Sequence, residues 1–303
     1  MIKLEAGNEM QLIVRYEDPY LLAVEKPPGA HTAPLRAGEG GTLLDAVIAR
    51  YPEVARLPGI KAIEPGLLHR LDRDTSGLVL VARTPESFAT LRASFDAVAV
   101  EKGYLAVCRR VAPEALPADH ARAGLLRTPR QLPGGRLRIE SRFAPFGPGR
   151  RRVRLVDALV GGEAAGAGPP SGSLLPAGPI GQLGARGGPR RPPAETTNRR
   201  YATEVELLEE RGGLILVRAR ITAGFRHQVR AHLAALGLPI LGDSLYGEGG
   251  TPGAPASLPP PVERLFLHAA SLALSHPHDG RPLSIRSPVP EEFRLLVPAA
   301  APW

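Results

Sequence analysis

Residues Leu68-His69-Arg70-Leu71-Asp72-Arg73-Asp74-Thr75-Ser76-Gly77 lead directly into Leu78-Val79-Leu80-Val81-Ala82-Arg83. The second half is an unbroken apolar run of strand length, which predicts a strand from Gly77 to Arg83 buried on both faces. The first half sets charged side chains and a glycine at the mouth of that strand, a common way to hold reactive groups on a rigid scaffold. The same run also reads as an ordinary polar turn, and taken alone that plainer reading leads.

Upstream, Leu12 to Arg15 and Leu21 to Val24 read as short strands around Glu17-Asp18-Pro19. Lys26-Pro27-Pro28-Gly29 ends the second, since proline cannot donate to a ladder. Thr42 and Asp45 have the spacing of a capping box that opens a helix from Leu43 to about Arg50. Downstream, Thr84-Pro85 reads as an N-cap with proline at the first helical position, starting a helix to about Phe95. A strand from Lys102 to Arg109 follows. Tyr201 to Leu208 and Leu214 to Ile221 predict a hairpin around Glu209-Glu210-Arg211-Gly212-Gly213. A helix from about His227 to Leu236 places Val229, Leu233 and Leu236 on one face and ends at Gly237. Strands at Leu265 to Leu274 and Pro282 to Arg286 close the chain. Strands with scattered helices, mostly not in βαβ order, predict an α+β fold around a largely antiparallel sheet.

The stretch 161–193 differs in kind. Ten of its residues are glycine and seven proline, so 17 of 33 disfavour regular structure. It carries no aromatic residue to offset its ordering entropy, and it reads as a disordered surface insertion within one domain spanning 1–303. Its Arg186, Arg190 and Arg191 read as solvated before they read as RNA contacts.

The 303 residues are 43% hydrophobic, enough for a sizeable core. A mean hydropathy of −0.07 and apolar runs no longer than a strand argue against a membrane span. The start, Met1-Ile2-Lys3-Leu4-Glu5, lacks the pattern of a secretory signal. The single cysteine, Cys108, excludes an intrachain disulfide and a Cys-rich zinc site, and reads as a small residue inside an apolar strand. Together these features suit the cytoplasm. The net charge of +8 attracts polyanions, although an Arg-rich composition gives the same number without an RNA partner.

Two further segments are dense in special residues. In Gly224-Phe225-Arg226-His227-Gln228-Val229-Arg230-Ala231-His232, Arg226 and Arg230 are four apart, which predicts that they share one helix face and jointly meet a carboxylate or phosphate. In Glu101-Lys102-Gly103-Tyr104, Lys102 and Tyr104 share a strand face. An aromatic beside a cation is what a flipped base needs for stacking and charge balance.

These segments together resemble the RluA-type RNA pseudouridine synthase family. The resemblance rests on His-Arg-Leu-Asp-x-x-Thr-Ser-Gly at 69–77, Lys-x-Tyr-Leu-Ala at 102–106 and His-Gln-Val-Arg-x-His-Leu at 227–233. It extends to Gly-Asp-x-x-Tyr-Gly at 242–247, to Leu265-Phe266-Leu267-His268-Ala269, and to the strand pair ending in Lys26-Pro27-Pro28-Gly29. Only 161–193 lies wholly outside it. It implies a pseudouridine synthase-like fold with flanking helices and a catalytic cleft, acting on ribosomal or transfer RNA. It implies Asp72 as the catalytic carboxylate, Arg70 as the residue filling the gap left by the flipped uridine, and Tyr104 as the ring against the uracil. It implies Arg230 as the partner of Asp72 and Leu267 as an apolar contact near the base. His69, Lys102 and Arg226 are expected to touch RNA. Two departures stand out: the family's Gly-Arg-Thr-His-Gln is here Gly224-Phe225-Arg226-His227-Gln228, and an S4-type RNA-binding domain is not expected before the first strands.

Pseudouridine formation breaks the N1–C1′ bond, turns the uracil and rebonds it through C5. It needs neither water nor a redox change, so no cofactor is expected, and a monomer without an obligatory protein partner suffices. A carboxylate can act as nucleophile or abstract a proton on a glycal path, and both stay open. Arg230 beside Asp72 would favour its ionised form. Asp74 reads as part of a turn whose side chains bond the backbone. Three other readings are weaker. A fold-retaining, inactive RNA-binding protein would not require Asp72, Tyr104 and Arg230 in combination. A metal-dependent hydrolase built on His227, His232, His268, His276 and His278 lacks zincin spacing, and these histidines read as structural hydrogen-bonders. A glycosidase would need a second acid that the sequence does not single out.

Overall fold

The computed structural model describes residues 10–111, 136–162, 196–247 and 264–298. The first half holds β1 (Ile13–Glu17), β2 (Leu21–Lys26), α1 (Leu43–Arg50), β3 (Ser76–Ala82), α2 (Pro85–Asp96) and β4 (Glu101–Arg109). The second holds β5 (Arg136–Phe146), β6 (Arg152–Gly162), β7 (Tyr201–Arg211), β8 (Leu214–Ile221), α3 (Gln228–Ala235), β9 (Leu267–Ser275), β10 (Pro282–Arg286) and α4 (Glu291–Leu296).

Every residue of β3 is buried, and its two faces feed different cores. Val79 and Val81 join the large cluster that includes Leu43, Leu44 and Val47 of α1. Leu78 and Leu80 join a second cluster with Phe88 and Leu91 of α2. Each such buried Leu or Val contributes about 2 kcal/mol, so an apolar residue is favoured at every position and the run is continuous. Both helices that cover β3 are capped as the sequence predicts. Thr42 and Asp45 form a reciprocal capping box, and Thr84 forms another with Ser87.

The strands form one sheet in the order β1-β2-β3-β9-β4-β8-β7-β5-β6, with β10 also on β9. All pairings are antiparallel except β3 with β9, which meet at Ser76–His268 and Gly77–Ala269. The α+β, largely antiparallel expectation therefore holds. Gly77 makes the parallel junction possible. It sits at φ +113°, and an added Cβ would lie 2.2 Å from the Ala269 carbonyl oxygen.

Several boundaries move. The β7–β8 hairpin turns on Gly212-Gly213 alone, with a bulge between Leu207 and Glu209, so β7 runs to Arg211. The last apolar strand starts at Leu267, two residues later than its pattern indicates. α3 starts at Gln228 because His227 adopts φ +57°. It ends as expected, with Gly237 at φ +73° and the Leu238 N–H bonded to the Leu233 carbonyl. β5, β6 and α4 went unread in the sequence. Of the 161–193 stretch, Gly161 and Gly162 end β6, and the remainder, with Arg186, Arg190 and Arg191, lies outside the described residues. Among the described residues no helix is long and apolar enough to cross a membrane.

Candidate active site

A cavity of about 620 Å³ opens where the approach to β3, the strand β4 and the turn before α3 converge. His69, Arg70, Asp72, Lys102, Tyr104, Arg226, Arg230 and Leu267 all line it. The residues singled out by sequence thus meet in one place. They do not play equal parts.

Asp72 lies in the turn closed by the Thr75 N–H on the Asp72 carbonyl, at 3.1 Å. That turn is held from the opposite side. Lys26, fully buried, donates to the carbonyls of Pro27, Ala30 and Arg73 at 2.7–2.8 Å. Thr32 Oγ1 accepts from the Leu71 N–H and donates to the Leu71 carbonyl. Burial pulls the Lys26 ammonium down to about 7, while its three acceptors occupy all three of its hydrogens. Asp74 does not act as expected. Its carboxylate is exposed and makes no hydrogen bond to the turn among the described residues. Ser76 likewise reaches across to His268 Nδ1 at 2.9 Å rather than to local backbone.

The Asp72 side chain is 27% exposed, and Arg230 Nη1 donates to its Oδ2 at 3.3 Å. The expected pair exists, but Arg230 has a stronger partner. Asp243 receives Nε at 2.8 Å and Nη2 at 2.7 Å in a bidentate bond, and its side chain is fully buried. Asp243 Oδ1 also accepts the N–H groups of Leu245 and Tyr246. Arg230 is thus clamped by one buried carboxylate and presents its remaining nitrogen to Asp72. Despite the cost of burying it, hydrogen bonds and charge from Asp243, with a further share from Asp72, push its pKa up. Sequence reasoning passed over Asp243, although it sits in the Gly-Asp-x-x-Tyr-Gly turn.

A second group faces Asp72. His227 Nε2 stands 3.8 Å from Asp72 Oδ1, and its Nδ1 is 3.1 Å from the Tyr246 hydroxyl. That hydroxyl also accepts the Val153 N–H. Nε2 is therefore the ring nitrogen that faces Asp72. Burial keeps His227 neutral, lowering its pKa against the opposing pull of Asp72. Its left-handed backbone is tolerable for histidine but uncommon, as is frequent at functional sites.

Tyr104 and Leu267 are buried in the wall of the cavity. Burial first, and then the charge of Asp72, push the Tyr104 phenol up, so it is neutral. Arg70 is at the exposed rim, bonded to Glu64 at 2.8 Å. His69 accepts the Leu80 N–H on Nε2 and stacks on Phe95, and burial lowers its pKa to about 3. It is a neutral part of the wall, not a cation for RNA. Arg226 corrects a sequence expectation. The chain turns at His227 before α3 begins, so the four-residue spacing from Arg230 is not helical. Arg226 donates to the carbonyls of Arg150 and Arg152 instead of sharing an anion with Arg230. Phe225, where the family usually has arginine, stacks on the buried Phe143 at 5.1 Å.

Of the other histidines singled out in the sequence, His278 stacks on Tyr20 and its ring makes no hydrogen bond among the described residues, whereas three make structural bonds. His232 bridges Ser141 and Thr203, His268 bridges Ser76 and Ser287, and His276 bonds Asp18. Cys108 is a buried strand residue whose thiol burial pushes up.

Comparison with known proteins shows the family of the chain. The family model described as RNA pseudouridylate synthase matches residues 20–235. The chain belongs to that family, enzymes that isomerise uridine to pseudouridine in RNA. It is 27% identical over 297 residues to a ribosomal large subunit pseudouridine synthase D of Pseudomonas aeruginosa, covering 96% of this chain and 72% of that protein. It is 29% identical over 303 residues to the protein of the same name from Xanthomonas campestris, covering 97% and 71%. The human RNA Pseudouridylate Synthase Domain Containing 1 structure shares the fold, with TM-score 0.57 and 21% identity over 94% of this chain and 86% of that one.

Proposed function

We propose that Asp72 is the catalytic carboxylate of this RNA pseudouridine synthase and that its substrate is ribosomal RNA of the large subunit. The observation that carries the first part is the Asp72–Arg230–Asp243 chain. A partly exposed carboxylate faces a cavity large enough for a nucleotide, beside an arginine that a second, buried carboxylate immobilises. Asp72 is the member of that chain open to a substrate. The names of the relatives support the second part. A flipped uridine would stack on Tyr104 against Leu267, with Arg70 at the rim in the space it vacates. The described strands belong to one sheet, which supports a single catalytic domain.

The test is Asp72→Asn, assayed on an in vitro transcript of large-subunit ribosomal RNA. The variant should fold, bind the transcript as the wild type does, and form no pseudouridine. Pseudouridine at wild-type yield from the folded variant refutes the assignment.

A further inference from the structure

The cavity wall holds a second buried lysine whose surroundings are opposite to those of Lys26. Lys26 spends its three hydrogens on backbone carbonyls, as a structural lysine does. Lys102 is 6% exposed and lines the cavity, yet among the described residues its ammonium has neither a hydrogen-bond acceptor nor a carboxylate partner. Among the described residues its one directional contact is the Phe95 ring, whose centroid is 5.6 Å away. With its stem buried and its ammonium lining the cavity without an acceptor among the described residues, Lys102 leaves its hydrogens for a ligand to satisfy.

The charged and titratable neighbours on each side are otherwise engaged. On α2, Asp96 is held by Arg92 through Nε and Nη2. Glu101, preceding Lys102 on β4, faces Arg220. On the approach to β3, His69 is neutral and Asp72 is paired with Arg230. In the turn before α3, Arg226 points to the carbonyls of Arg150 and Arg152. The same turn leaves room for the ammonium by having Gly224, where a Cβ would lie 2.8 Å from Nζ. Burial lowers the Lys102 pKa to about 8, so the group is charged at neutral pH and an arriving anion would hold it so.

Uracil and ribose carry no formal charge, and the anion that RNA brings into such a cleft is a phosphodiester. We propose that Lys102 forms a phosphate subsite, gripping the backbone of the strand that presents the target uridine. This rests on the cavity being the RNA cleft, and it separates Lys102, which holds the backbone, from Tyr104, which faces the base.

The test compares wild type, Lys102→Met and Lys102→Arg in equilibrium binding to an in vitro transcript of large-subunit ribosomal RNA, over a salt series. Lys102→Met should bind about tenfold more weakly at neutral pH, as loss of a charge-assisted bond implies. Its salt dependence should be shallower by about 0.7, the share of one single-strand phosphate. Wild-type affinity should fall between about pH 7 and pH 9 as the ammonium deprotonates, and Lys102→Arg, which stays charged, should lose that fall. Lys102→Met should also be at least as heat-stable as wild type, since it removes an unpaired buried charge. Wild-type affinity and salt slope in Lys102→Met overturn the proposal. So does an unchanged affinity with a lower single-turnover rate, which would place Lys102 on the base. A marked loss of thermal stability in Lys102→Met overturns it too, by making the lysine structural. Binding is read without turnover, so a wild type that formed no pseudouridine would count against the catalytic reading alone.

Discussion

Asp243→Asn isolates the clamp on Arg230. The carboxylate is fully buried and the arginine side chain is 5% exposed, so solvent screens little of their interaction. The asparagine oxygen can keep the Leu245 and Tyr246 N–H bonds, which both fall on Oδ1. Its amide then meets the Arg230 Nε–H, donor against donor, where Oδ2 now accepts at 2.8 Å. Arg230 is left with Asp72, 3.3 Å away and partly solvated, as its charged partner. Breaking a buried pair from one side costs roughly 3–5 kcal/mol, and the retained backbone bonds place this change near 3. At roughly 2–4 °C per kcal/mol for a protein somewhat smaller than this one, Tm should fall by about 6–12 °C. Pseudouridine formation should fall as well, because Arg230 is no longer fixed beside Asp72. The decisive assay adds Asp243→Asn/Arg230→Met. Removing the stranded cation should recover most of the lost Tm and none of the activity. A single variant within about 2 °C of wild type, or a double variant less stable than the single, refutes the reasoning.

Two further outcomes follow from buried polar groups. Tyr246→Phe removes the acceptor of the buried Val153 N–H and the hydroxyl bonded to His227 Nδ1, and should lower stability by about 1–3 kcal/mol in thermal unfolding. It should also slow turnover, since His227 loses the bond that orients it toward Asp72; unchanged rate and Tm would contradict this. Burial lowers His232 and His268 from 6.5 to about 3. In that window the unfolded chain binds more protons than the folded one, so stability is lost as pH falls below about 6.5 and the loss continues toward 3. At pH 5 each should contribute about 2 kcal/mol of destabilisation relative to neutral pH. His232→Gln should flatten the fall in Tm between those two pH values, and an unchanged slope would remove His232 from the account.

The sequence by itself determined the elements whose signals are local. The apolar run of β3, the capping residues Thr42 and Thr84, and Gly237 all act within a few residues of the structure they specify. β5 went unread although Leu137 and Ile139, buried between polar neighbours, alternate as a strand does. α4 escaped because six residues are too few to show a helical period. Motifs also brought Asp72, Tyr104, Arg230 and Leu267 to notice, by their order along the chain. Tertiary structure decided how these groups share their partners. Asp72 and Arg230 meet across 158 residues of sequence, and the arginine's tighter bonds go to Asp243. Arg226 was misplaced because a left-handed His227 interrupts the helix that its spacing presumed. The same holds for the two buried lysines. Lys26 and Lys102 are alike as letters in the sequence, and only the fold surrounds one with carbonyls and, among the described residues, leaves the other without an acceptor at the cavity. Which groups neutralise a charge depends on distances between segments remote in the chain, and a linear pattern does not contain them.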